Sequence, residues 1–402
     1  MRIIKENHQG ISTILSFALI PLSGFATDIY IPSLPAMADA LKITNPAVQL
    51  SLVFFMISYG ISQLFVGSLL DSFGRYRLGI TALVLFAMAS FTIALTHNIY
   101  LIYAMRVIHG VTVAFIVVGK RAYFVDIYSG EKLKHYTSLF SIIWASAPII
   151  APFLGGYLQT YFGWESNFYF LGYLTLIIIG LEIAYGGESL KTFQKFHFRS
   201  IIGVYHTMLK TTDFTLGLIV LGLAYSMLMV YGMTSPFIIE HVFHFSPIVT
   251  GYCALISGVS LMMGGILSKA MIKYDFLKKI ITASLLQFTF AFIMVSSSLY
   301  FASIYTLMLF VIVVHFMSGF IFNSYFSYCL GRFSKNAGIA SGIIGGGLYI
   351  ITSAFSYGII NTISVKTQVN LGLCYLVLSL SMVMVLFFVK RALNTRILLE
   401  QA

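Results

Sequence analysis

Apolar runs of about twenty residues recur along the whole chain, and they constrain its fold more than any other feature. As a helix, each run is long enough to cross a hydrocarbon layer about 30 Å thick. Twelve such runs fit with short connections, which leaves no stretch for a soluble domain. The composition agrees, with 59% hydrophobic residues, 9% charged residues and a mean hydropathy of +0.92. We therefore predict an all-α membrane protein with twelve transmembrane helices.

The longest polar stretch lies between the sixth and seventh runs, near the middle of the chain. It suits either a plain linker or a segment that lies on the membrane surface. Two halves of six spans are the arrangement of many secondary transporters. The predicted spans are residues 11–31, 48–70, 78–96, 100–118, 136–158, 167–186, 214–236, 249–271, 280–300, 303–328, 339–360 and 371–389. They predict a first half at 1–187, a cytoplasmic linker at 188–212 and a second half at 213–402.

The basic residues test this map. With a cytoplasmic amino terminus, 21 of the 24 lysines and arginines fall in cytoplasmic segments or at cytoplasmic span ends. Only Lys42 and Lys366 fall on the other side, and Arg106 lies inside a span. This bias predicts that both termini are cytoplasmic. Because the net charge of +11 follows from topology, we expect no nucleic-acid partner.

Two charged residues inside apolar runs are candidate functional groups. Asp28 lies at the far end of the first run, where a carboxylate in or near hydrocarbon costs several kcal/mol. Asp28 either works as a proton carrier or only caps the span among hydrated headgroups. Arg106 in the fourth run needs an anionic or carbonyl partner. His109, one turn later, is either a further proton-coupling group or a helix-packing histidine.

Three motifs carry a resemblance to a known family. The turn after the second span contains Gly67, Asp71, Gly74 and Arg75, the fourth span contains Arg106-Val-Ile-His109-Gly110, and the fifth span contains Pro148, Pro152, Gly155 and Gly156. The chain resembles the major facilitator superfamily in all three. From about residue 24 to residue 163 it looks like the Bcr/CflA group of drug:proton antiporters, because Thr27–Pro35 and the stretch from Asp126 match as well.

The resemblance implies a role for each motif. At the Asp28 position that group carries the proton-linked carboxylate, and at the Arg106 position a residue that helps to set its proton affinity. By resemblance, Asp71, Arg75 and Asp126 form a charge relay that holds the cytoplasmic gate shut against span 11. The proline motif marks proton-driven exporters. This chain departs from the pattern at His109 (usually Gln), Ala151 (usually Gly) and Val125 (often Arg).

Candidate substrate-binding residues are Tyr30 and a set on spans 7 and 10, the spans that line the cavity in the superfamily. Aromatic and methionine side chains suit flat or cationic amphiphiles, although such residues also serve as packing or lipid-facing surface. The second set is Tyr225, Met229, His315, Phe322, Asn323 and Phe326.

These features predict a drug:proton antiporter that exports small amphiphilic compounds by alternating access. We expect a monomer in the bacterial cytoplasmic membrane, with a small-molecule substrate, the lipid bilayer as surroundings and the proton as coupling ion in place of a cofactor. The alternatives are a dedicated exporter of one metabolite such as a siderophore, a metabolite:proton symporter, and a non-transporting membrane sensor. An enzyme is not expected, because the sequence offers no nucleophile–base pair, phosphate loop or metal cluster.

Overall fold

The computed structural model describes residues 3–193, 198–333 and 337–401, and α-helices account for most of them. The described residues form no β-strand, which confirms the all-α prediction. Residues 194–197 of the predicted linker lie outside the described residues. The helices are α1 (Gln9–Leu19), α2 (Leu22–Asp28), α3 (Leu34–Leu41), α4 (Asn45–Phe73), α5 (Arg75–Leu95), α6 (Ile99–Ile127), α7 (Gly130–Ser138), α8 (Phe140–Phe162), α9 (Glu165–Tyr185), α10 (Phe198–Lys210), α11 (Thr212–Phe237), α12 (Pro247–Ala270), α13 (Phe276–Ser298), α14 (Ile304–Arg332), α15 (Ala337–Ile363) and α16 (Gln368–Gln401).

Within the described residues, 12 helical stretches are long and apolar enough to cross a membrane, which confirms the predicted number. The first, Glu6–Leu41, comprises α1 to α3. Several helices extend beyond the predicted spans because polar residues continue the helix past its apolar part. In α6 the helix runs on through Lys120 and Asp126 to Ile127, nine residues beyond the predicted end at 118.

The chain divides into two compact units, Met1–His197 and Phe198–Ala402. In the first unit, α4 packs along α6, and α5 packs on α6 and α9. In the second unit the same order recurs, with α12 along α14 and α13 on α14 and α16. Helix α10, which lies in the predicted linker, packs on α11 and α15 of the second unit.

The first membrane stretch is broken around Asp28. Helix α2 begins after Pro21 and ends at Asp28, and a short 3-10 turn follows at Ile31–Ser33. Pro32 in that turn has no N–H, so the regular hydrogen bond to the carbonyl of residue 28 cannot form. The break therefore leaves the candidate carboxylate at a helix end, inside the packed first unit.

Candidate functional site

Asp28 is buried, with only 2% of its surface exposed. Neither carboxylate oxygen has a hydrogen-bond partner among the residues that the structure describes. Buried polar groups in proteins are nearly always paired, and an unpaired charged group is especially costly. The Asp28 carboxyl is therefore a buried acid that lacks the partner such groups usually have.

Arg106 on α6 is completely buried and is held by main-chain carbonyls. Its Nη1 donates to the oxygen of Ala26 at 2.8 Å, and its Nε donates to the oxygen of Ser51 at 3.4 Å. Of the described carboxylates, none forms an ion pair with Arg106. Its Nη2, which carries two N–H groups, has no hydrogen-bond partner within the described chain.

Aromatic rings enclose the Arg106 guanidinium. Its central carbon lies 4.8 Å from the Tyr30 ring centroid and 4.5 Å from that of Phe55. The Tyr30 hydroxyl lies 2.9 Å from Ser51 Oγ, and Tyr30 has no exposed surface. Tyr30, a candidate substrate residue from the sequence, thus forms part of the cation's enclosure. His109 also contacts the guanidinium, with its Nδ1 3.3 Å from Arg106 Nη1.

The proline motif lies on α8, which continues as one helix through Pro148 and Pro152. Gly155 and Gly156 are buried on this helix. A Cβ atom at Gly155 would overlap the carbonyl oxygen of Ile29, the residue after Asp28. The glycine therefore lets α8 approach the broken end of α2, and the motif sets the position of the chain beside Asp28.

The predicted charge relay comes together where α4 meets α5. Arg75 pairs with Asp71 at 3.0 Å and, through its other terminal nitrogen, with Asp126 on α6. Gly74 makes the turn with φ of 93°, a backbone conformation that glycine adopts without strain. At Gly67, one turn before Asp71, a Cβ atom would meet no described atom within 4 Å outside its own stretch of helix. Among the described ion pairs, only that of Arg75 with Asp126 links this turn to α6.

Two further residues belong to this cluster, although the sequence did not lead us to predict them. The Glu188 carboxylate accepts hydrogen bonds from the backbone N–H groups of Arg75 at 3.1 Å and Tyr76 at 3.0 Å. Ser189 donates to Asp126 Oδ2 at 2.7 Å. The sequence signal that could have identified this pairing is an acid just after the sixth span, on the same predicted side of the membrane as the start of α5. Helix N-termini favour such carboxylates.

In the second unit, some candidate substrate residues form an aromatic cluster. The ring centroids of Tyr225 and Phe322 are 6.0 Å apart, and those of Phe322 and Phe326 are 5.8 Å apart. Tyr349 on α15, which the sequence did not single out, lies 6.0 Å from Tyr225. Phe322 and Phe326 are partly exposed, so this cluster offers aromatic surface.

The other candidate substrate-binding residues of the second unit are buried or form hydrogen bonds within that unit. His315 is completely buried, with Nδ1 2.7 Å from Ser257 Oγ and Nε2 3.0 Å from the Tyr375 hydroxyl. Met229 is buried on α11, with 2% of its surface exposed. Asn323 donates to the carbonyl of Gly265 on α12 at 3.0 Å. The structure therefore does not bring His315 to the aromatic cluster.

Comparisons with known proteins agree with the fold. An uncharacterized MFS-type transporter of Bacillus subtilis, YdgK, is 26% identical over 334 residues, which cover 79% of this chain and 80% of that protein. A bicyclomycin resistance protein homolog of Haemophilus influenzae is 29% identical over 160 residues, 40% of each chain. A crystal structure of a nucleoside transporter NupG mutant has a similar fold, with a TM-score of 0.71, 14% identity and coverage of 96% of this chain and 100% of that one.

Relatives named for drug resistance confirm the resemblance to the Bcr/CflA group. The matched family and the structural neighbours are transporters and not enzymes. Twelve apolar helices and bacterial relatives support a multi-pass protein of the bacterial inner membrane. The family model described as Major Facilitator Superfamily matches residues 17–356, most of the chain, and the protein therefore belongs to that superfamily of membrane transporters.

Proposed function

We propose that this transporter is a drug:proton antiporter that exports small amphiphilic compounds by alternating access. The observation that carries the proposal is Asp28, a buried carboxyl whose two oxygens lack a partner within the described chain. Such a group needs a proton or a ligand atom in place of the water it has lost. One carboxyl that binds either a proton or cargo is the simplest device for exchanging the two.

Arg106 supports exchange because it is not committed to Asp28. Its contacts to Ala26 and Ser51 hold the cation near the carboxyl's helix without an ion pair among the described residues. A permanent ion pair would occupy Asp28 and compete with the proton and the cargo. In this proposal, the Arg106 charge favours loss of the Asp28 proton when cargo arrives, and the guanidinium stays in place through the cycle.

The proposed cycle has two loaded states. Asp28 takes up a proton from the outside, and the transporter returns to the inside with that proton bound. Cargo from the cytoplasm then displaces the proton, and the loaded transporter opens outward. The proton is the only coupling ion, and both termini are cytoplasmic. The cluster of Asp71, Arg75 and Asp126 closes the cytoplasmic side, as the resemblance implies.

The cargo class follows from the aromatic cluster of Tyr225, Phe322, Phe326 and Tyr349. Aromatic faces attract flat and cationic compounds without demanding one hydrogen-bond pattern. The relative named as a bicyclomycin resistance protein homolog supports a drug-sized cargo. We therefore propose that the transporter accepts several amphiphiles.

The test is transport in inverted membrane vesicles with an imposed proton gradient, acid inside. Ethidium, a neutral antibiotic and a siderophore serve as probes. Asp28→Asn should abolish gradient-driven uptake of the probe that the unmodified protein transports. Asp39→Asn, which changes an exposed acid on α3, is the matched control and should retain uptake.

Each other outcome corresponds to an alternative. Uptake of the siderophore alone would favour a dedicated exporter. Probe movement in the same direction as the proton would make the protein a symporter. Unchanged uptake in Asp28→Asn, with both variants present in the membrane in equal amounts, would remove Asp28 from the coupling.

A further inference from the structure

His109 lies between a cation and a main-chain oxygen, entirely inside the first unit. Its Nδ1 is 3.3 Å from Arg106 Nη1 on the same helix. Its Nε2 is 3.0 Å from Ser90 Oγ and 3.3 Å from the carbonyl oxygen of Phe86, both on α5. The imidazole also stacks on the Phe86 ring, with centroids 4.4 Å apart. The ring is thus fixed at both nitrogens and on one face.

The hydrogen-bonding roles follow from the chemistry of the partners. A guanidinium has only donors, so His109 Nδ1 must accept from Arg106. A carbonyl oxygen only accepts, so Nε2 must carry the proton that faces Phe86. Ser90 donates its own proton to the same carbonyl at 2.9 Å, which leaves its oxygen free to accept as well. Both sides therefore select the neutral tautomer with its proton on Nε2.

A second proton on His109 would meet a cation. It would sit on Nδ1, directly against Arg106, and the hydrogen bond between them would be lost. The groups that face the imidazole from α5 are Phe86 and Ser90, neither of which is charged. Among the described residues, no carboxylate pairs with His109, and the nearest titratable groups around Arg106 are Asp28 and Tyr30.

The second unit offers an internal comparison. There His315 on α14 contacts Ser257 on α12 and the edge of the Tyr231 ring, much as Arg106 on α6 contacts Ser51 on α4 and the Tyr30 ring. Three residues after His315 is Ser318, which accepts from Gln287 on α13 at 2.8 Å. At the place of Arg106 the second unit thus has a histidine, and the residue three positions later accepts from Gln287 and not from a guanidinium.

We propose that His109 is a positioning residue, a neutral hydrogen-bond acceptor that holds Arg106 against the Ala26 carbonyl and does not carry the coupled proton. Its role in transport rests on the proposed antiport function, whereas its protonation state does not. His109 keeps Nη1 directed at α2, while Nη2 has no hydrogen-bond partner within the described chain. A glutamine at this position would also offer a side-chain acceptor.

The first test reads the imidazole directly. Nitrogen-15 NMR of the full-length protein with labelled histidine identifies the His109 signals as those lost in His109→Gln. Across about pH 5 to 8, where an ordinary histidine titrates, they should stay at the shifts of the neutral tautomer protonated on Nε2. Signals that move to those of imidazolium, or that report a proton on Nδ1, would overturn the proposal whatever the protein transports.

The second test compares His109→Gln with His109→Leu in the vesicle assay, using whichever probe the unmodified protein transports. His109→Gln retains an acceptor and should leave the pH profile of proton-driven uptake unchanged. His109→Leu should lower the maximal rate at every pH by at least about tenfold, the equivalent of one hydrogen bond to a charged group. A pH profile that shifts or disappears in His109→Gln would contradict the positioning role. If no probe is exchanged for protons, the antiport proposal fails, and the NMR result still decides the state of His109.

Discussion

Arg106 donates a 2.8 Å hydrogen bond to the main-chain carbonyl of Ala26, two residues before Asp28. The cation is therefore attached to the helix that carries the acid and not to the acid itself. A main-chain acceptor keeps its position and cannot be protonated during transport. Ala26 therefore anchors the guanidinium, and the Asp28 carboxylate is left without a hydrogen-bond partner among the described residues.

Arg106→Lys should lower both transport and stability, even though it keeps the positive charge. A lysine has one nitrogen on a flexible stem, so it cannot contact Ala26, Ser51 and His109 together as the planar guanidinium does. Each lost hydrogen bond to a charged group is worth about 1.5 to 3 kcal/mol. We expect the uptake rate in vesicles to fall at least about tenfold, with a lower melting temperature of the purified protein.

Arg77→Lys is the matched control for that change, because Arg77 is exposed at the start of α5. It should leave both uptake and melting temperature close to those of the unmodified protein. Equal activity of Arg106→Lys and Arg77→Lys would show that the charge at residue 106 suffices and that its geometry does not matter.

Patterns along the chain indicated which charged residues lie inside apolar runs, but not which groups they contact. Burial of Arg106 in an apolar run required an anionic or carbonyl partner, and the main-chain carbonyls of Ala26 and Ser51 take that place. Which carbonyl it would be depends on how α2 and α6 are rotated and how closely they pack, and residue spacing does not determine either. Glu188 was missed for a related reason, since its contact with Arg75 joins positions 113 residues apart.

Gly155→Ala should disturb the chain beside Asp28. The added methyl group would overlap the carbonyl oxygen of Ile29, so α8 must move away from the end of α2. Backbone atoms cannot shift as cheaply as a side-chain tip, and overpacking of this kind costs about 1 to 3 kcal/mol. We expect a lower melting temperature and a reduced rate of proton-driven uptake.

Gly180→Ala provides the comparison on α9 of the same unit, where the added carbon meets no described atom within 4 Å outside its own stretch of helix. There alanine should be neutral or slightly stabilising, because it is the better helix former by about 1 kcal/mol. Similar losses in both variants would show that the effect at residue 155 does not come from the contact with Ile29.

Glu188→Ala should weaken the cluster around Arg75. The Glu188 carboxylate accepts from the first two N–H groups of α5, so its removal leaves those donors without their partner. Loss of a capping side chain costs about 0.5 to 2 kcal/mol. We expect a lower melting temperature, with partial recovery in Glu188→Gln, whose amide oxygen can still accept.

Glu131→Gln is the control for the change at Glu188. Glu131 pairs with Lys134 at 3.3 Å, but both side chains are largely exposed, and such surface pairs contribute little. Its melting temperature should therefore stay near that of the unmodified protein. If Glu188→Ala is equally stable, the hydrogen bonds from α5 do not support the cluster.

Phe322→Ala should raise the KM for a flat cation such as ethidium. Phe322 is partly exposed on α14 and lies between Tyr225 and Phe326, so its removal takes the centre out of the aromatic cluster. A cation on an aromatic face gains about 0.5 to 2 kcal/mol, which corresponds to a roughly 2- to 30-fold increase in KM for ethidium on its loss. The maximal rate should change less, because Asp28 and Arg106 lie in the other unit.

Phe292→Ala is the control, because it removes an exposed aromatic ring from α13, and it should leave the KM unchanged. An unchanged KM in Phe322→Ala, measured in vesicles that transport ethidium, would exclude the cluster from cargo binding.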